Sequence, residues 1–196
     1  MNATVGSGAA TRPGLLDRFM GPGHTRPELL LQGIGGLLCA GLLGWYLAVS
    51  PQRPDWSVGQ VVLVAVIALD LVGGILTNST QAAKSWYHRP LPGARRTRLV
   101  FVATHGLHLA LVGLVLLERD WTWLTVSGIL LIASALVIEY SPRRVKLVVA
   151  TGTYTAVLLL GLILAPLPEA LAWFPALFYL KLLVCFLVPG PVARAA

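Results

Sequence analysis

"ALDLVGGILTNSTQAAKSWYHRP", residues 68–90, opens as the tail of an apolar run, closes as a charged loop, and carries Asp70 where hydrocarbon tolerates a carboxylate least. The run extends back to residue 58, which gives the roughly 20 residues that a helix needs to cross a bilayer at about 1.5 Å per residue. With five further runs of this kind, the predicted spans are 29–50, 58–80, 97–117, 121–140, 145–166 and 170–188. The composition agrees. Of 196 residues, 56% are hydrophobic and 12% charged, against about 25% charged in an ordinary soluble domain, so polar surface is too scarce to coat a water-soluble globule. A transmembrane barrel would need alternating stretches, and these runs do not alternate. The expected fold is an all-α, polytopic integral membrane bundle of six transmembrane helices, with both termini cytosolic.

One transmembrane domain, 29–190, is expected between tails at 1–28 and 191–196. The first tail is polar and holds Pro13, Pro22 and Pro27, unlike a cleaved signal, in which a basic start leads straight into an apolar segment. It is expected to form a flexible lead-in, the less favoured alternative being that "GLLDRFM", residues 14–20, rests on the membrane surface. Cys39 and Cys185 fall inside different spans without paired spacing, so no structural disulfide is expected.

Orientation follows from charge. Arg12, Arg18, Arg26, Lys84, Arg89, Arg95, Arg96, Arg98, Arg143, Arg144, Lys146 and Arg194 lie on one side of the predicted spans, and only Arg53 and Arg119 on the other. The positive-inside bias then puts both ends in the cytosol and the chain in the cell membrane as a multi-pass protein. The net charge of +7 is thus a topology signal, and nucleic-acid binding is not expected, because the basic residues are dispersed at helix ends with no recognition motif. Anionic lipid headgroups are the expected partner of "PGARRTR" at 92–98. Glycine-rich stretches, "GIGGLLCAGLLG" in span 1 and Gly73–Gly74 in span 2, should let helices approach closely.

The second span carries a polar seam. At about 100° per residue, Asp70, Thr77, Gln81 and His88 return to nearly one direction, with Gly74, Asn78 and Ser85 beside them. Unpaired polar groups in lipid cost kilocalories, so the stripe should face other helices or a wet cavity. A hairpin centred near Gly93 would bring His105 and His108 alongside Asn78 and Gln81. Lys181 lies at a matching depth in span 6 and should pair with Asp70, the competing expectation being that it snorkels to the interface. Glu139 and Tyr140 end span 4 on the same side, and Tyr154 lies in the first half of span 5. The tryptophans gather at span ends, as an interfacial belt would. "NST" at 78–80 fits a glycosylation acceptor but falls on the cytosolic side.

His105 and His108, three residues apart, suit either helix-to-helix hydrogen bonding or, with His88 and a carboxylate, a zinc or iron ion. No GxSxG, HExxH or nucleotide-binding loop is present. The expected function is a small membrane enzyme acting by acid/base chemistry on a lipophilic, isoprenoid or lipid-like molecule in a cytosol-facing cavity. Asp70, His105 and His108 are its expected catalytic residues, and Thr77, Asn78, Gln81, His88, Tyr154 and Lys181 its substrate-binding residues. A proton-coupled solute transporter and a membrane scaffold are the alternatives.

Overall fold

The computed structural model describes residue 14, residues 20–50 and residues 55–190. The expectations for "GLLDRFM", for Arg12, Arg18, Arg53 and Arg194, and for the tail 191–196 lie largely or wholly outside these residues. The described chain is all-helical. Six helices are long and apolar enough to cross a membrane: α1 Arg26–Val49, α2 Val58–Ser79, α4 Ala94–Leu116, α5 Trp121–Tyr140, α6 Lys146–Leu164 and α7 Glu169–Phe186. A short helix, α3 Gln81–Tyr87, lies between α2 and α4. All six boundaries fall within a few residues of those predicted.

Local chemistry sets the starts. Thr25 and Glu28 form a reciprocal capping box on α1, which starts that helix three residues earlier than apolarity alone suggests. Ser57 and Gln60 do the same for α2, and Asp120 accepts from the Trp123 amide at 2.8 Å to start α5. The α4–α5 turn is tight enough that Glu118 and Arg119 both sit at positive φ, 50° and 70°.

The centre of the bundle is α7. Phe174, Phe178, Leu182, Leu183 and Leu187 on it and just beyond it are fully buried, together with Leu71 of α2, Leu109 of α4 and Leu131 and Ile138 of α5. α2, α5 and α6 all pack against it. Its backbone is irregular: a 3₁₀ turn at Glu169–Leu171, an α segment at Trp173–Tyr179 and a π segment at Leu180–Phe186. α4 is interrupted too, by a tightened turn at His105 and a π segment at Val112–Leu116. Such insertions re-aim side chains relative to a regular 100° step and recur at functional sites.

α1 is peripheral. No residue of it is buried, and it packs on α2. The close approach expected of its glycines is realised only where Gly35 and Gly36 meet Leu76, while Gly33, Gly41 and Gly44 have no heavy atom near where a Cβ would stand. Gly21, at φ +82°, lies against the Ala82 carbonyl with no room for a side chain, which ties residues just ahead of α1 to α3.

Candidate functional site

Asp70 lies two residues past the midpoint of α2. Its Oδ2 accepts from Lys181 Nζ at 2.5 Å and from His108 Nε2 at 2.9 Å. Three helices, α2, α4 and α7, therefore meet at one carboxylate oxygen. The Lys181 side chain is 4% exposed and reaches Asp70 across Gly74, where a Cβ would overlap its Cε. Pairing, and not snorkelling, is what Lys181 does. The carboxylate itself is 44% exposed. Its neighbours Val66 and Leu69 are exposed as well, so the opening is on the flank of the bundle, near mid-span.

The two histidines differ in role. His108 donates from Nε2 to Asp70, and its buried Nδ1 has no hydrogen-bond partner among the described residues. His105 stacks on it at 5.2 Å between ring centroids and 9° between planes. The His105 Nδ1 bonds the Phe101 carbonyl at 2.8 Å, one turn back in α4, which fixes the ring and directs its other nitrogen away from that backbone. Asn78 is buried on the bundle side of α2. Thr77 donates to Gln32 Oε1 of α1 at 2.9 Å, a partner the sequence pattern did not single out.

The rest of the seam does not continue. α2 ends at Ser79, where Ser79 and Thr80 hydroxyls turn back onto the Ile75 and Thr77 carbonyls at 2.6 and 2.9 Å. Thr80 is extended (φ −71°, ψ 152°) and its side chain caps α3. Gln81 and His88 therefore leave the direction set by Asp70. Gln81 bonds Ser85 at 3.4 Å and lies against Gly190. His88 closes α3, with Nε2 2.8 Å from the Phe186 carbonyl at the end of α7. Burial pushes its pKa down to about 4. Tyr154 likewise stands elsewhere, its hydroxyl donating to the Ala176 carbonyl at 3.3 Å. Among the described residues no three of His, Cys, Asp and Glu come together to hold a metal ion. The zinc or iron expectation for His88, His105 and His108 thus has no geometry to carry it.

A second polar cluster closes the basic end. Glu139 of α5, its side chain 1% exposed, takes two bonds from Arg98 of α4, at Oε1 and Oε2. Arg95 Nε and Lys146 Nζ each stand 3.8 Å from it. Lys146 also donates to the Glu139 carbonyl at 3.0 Å. Nearby, Lys84 of α3 donates to the Cys185 and Val188 carbonyls at 3.2 and 2.9 Å, and its burial lowers its pKa. One carboxylate thus joins the ends of three spans. The sequence placed Glu139 at the correct end but gave no partner, because Arg98 is 41 residues away and its adjacency depends on how α4 and α5 pack. Compared with protein-family models, curated proteins and solved structures, the chain matches none.

Proposed function

We propose that this chain is a small multi-pass membrane enzyme that admits a lipophilic molecule from the bilayer, through the flank of the bundle, to Asp70. The basic end faces the cytosol by the positive-inside bias, and the membrane is the cell membrane. The observation that carries the reading is a carboxylate near mid-span, held on one oxygen by an ammonium and an imidazole and yet 44% exposed. A structural counter-ion in lipid has reason to be sealed, since exposed charge at that depth costs about 2.5–3.5 kcal/mol or more. Exposure combined with fixed geometry suits a group that must meet a reactant.

The roles divide by atom. Oδ2 is occupied by Lys181 and His108, while Oδ1 has no hydrogen bond among the described residues and is the proton acceptor in this reading. Lys181 compensates the charge, His108 orients the carboxylate, and His105 holds His108 in place by stacking. The reaction class is proton abstraction or acid/base rearrangement of an isoprenoid or lipid-like molecule.

The test is chemical. Protein in nanodiscs, incubated with total membrane lipid extract and followed by mass spectrometry, should generate a product that Asp70→Asn does not. Unchanged extracts with folded wild-type protein would overturn the reading. A second reading, proton-coupled transport, is favoured by the irregular backbone of α4 and α7 on either side of the cluster, since interrupted helices line transport sites. It predicts proton flux in proteoliposomes without any chemical product.

A further inference from the structure

Away from Asp70, a groove of about 550 Å³ runs down the outer seam between α4 and α5. Leu99, Val100 and Ala103 of α4 form one wall, and Ile132, Ala135 and Leu136 of α5 the other. Its mouth is polar: Arg95, Arg96 and Tyr140 stand there, with the Arg95 guanidinium 4.6 Å above the Tyr140 ring. From Gly93 to Ala103 the groove descends about 15 Å at about 1.5 Å per residue, half of a hydrocarbon core of about 30 Å and so the depth of one leaflet.

The charge at the mouth is unbalanced. Glu139 is fully engaged by Arg98, and Lys146 and Arg95 also lie within 4 Å of it, so one anion serves three cations before Arg96 is added. The Arg95 side chain remains 56% exposed, and Arg96 is exposed as well. Two guanidiniums above an apolar slot of one-leaflet depth complement a phosphate attached to an acyl chain. Diffuse attraction to a charged surface needs no slot, and an apolar slot alone needs no arginine.

We infer that this seam is a specific seat for an anionic glycerophospholipid, with the phosphodiester on Arg95 and Arg96 and one acyl chain between Val100 and Ile132. The site is separate from Asp70 and does not depend on any reaction there.

Native mass spectrometry of the full chain, released from mixed micelles of phosphatidylglycerol and phosphatidylcholine, tests it. Wild type should retain phosphatidylglycerol preferentially, and Arg95→Gln/Arg96→Gln should weaken that retention by about thirtyfold, as loss of two basic headgroup contacts implies. Ala103→Trp fills the slot at an exposed position and should abolish retention with both arginines intact. Inorganic phosphate at equal concentration should not compete, because it lacks the chain. Equal retention of the two lipids, competition by free phosphate, or undiminished binding to Ala103→Trp would each overturn the seat. Circular dichroism and melting of the same variants separate a lost seat from a lost fold.

Discussion

Lys181 and Asp70 stand 111 residues apart in sequence and 2.5 Å apart in space, and the glycine at position 74 is what lets them meet. The lysine stem lies across the one-residue gap in the surface of α2 that Gly74 leaves. Burying a charge in a bilayer is tolerable when its opposite is in reach, and this arrangement provides both the opposite and the path to it.

Asp70→Asn and Lys181→Met should each destabilise the protein, by about 1–3 kcal/mol, below the about 3–5 kcal/mol of a fully buried pair because the carboxylate is 44% exposed. The double variant should recover at least about 1 kcal/mol of the summed loss, measured as a coupling in detergent unfolding. Strict additivity would mean that the contact contributes nothing.

Gly74→Ala and Gly73→Ala should separate cleanly. A Cβ at 74 meets the end of the flexible Lys181 side chain, whereas one at 73 meets nothing within 4 Å. Gly74→Ala should therefore fold but displace the lysine and remove the coupling to Asp70, while Gly73→Ala should be neutral or gain up to about 1 kcal/mol from helix propensity. The same double-mutant cycle, repeated on each background, checks this.

Glu139→Gln leaves Arg98, Arg95 and Lys146 without their shared anion. Loss of one side of such a buried network should cost about 3–5 kcal/mol and lower the melting temperature more than any single substitution at the Asp70 cluster. An effect below about 1 kcal/mol would show that the arginines find other partners or solvent.

His88 makes stability depend on pH. Its folded-state pKa is about 4 because burial disfavours the imidazolium, whereas a histidine in an unfolded chain titrates near about 6.5. Between those values the unfolded state binds the extra proton, so stability is full above about pH 6.5 and falls as the pH drops toward about 4. His88→Gln should flatten that part of the pH–melting curve, and an unchanged slope would place the titration elsewhere.

Much of the candidate site was legible because hydrophobic depth is written into the sequence. Asp70 and Lys181 occupy matching positions in their spans, whereas the hairpin register through Gly93 set His105 and His108 beside Gln81 and Asn78, and the structure instead carries His108 to Asp70, two turns farther along α2, because α2 ends at Ser79 and α3 intervenes. Thr77 was legible as a polar group turned away from lipid, though its partner Gln32 was not. Gln81 and His88 were misplaced for a local reason, whereas Tyr154 stands on α6 with its hydroxyl on the Ala176 carbonyl of α7, a contact that helix packing alone decides. A helical wheel assumes an unbroken 100° step, and the Thr80 break ends that step one residue before Gln81.

By itself the sequence determined the number of spans, their limits within a few residues, and the gathering of basic residues at one end, because partition into hydrocarbon and side-chain capping are properties of short segments. Tertiary structure alone decided that α7 is central and α1 peripheral, that Glu139 joins three cations, and that Asp70 opens on the flank. Those facts depend on how helices rotate and pack against one another, and the π segments of α4 and α7 shift that rotation in ways no periodic pattern records.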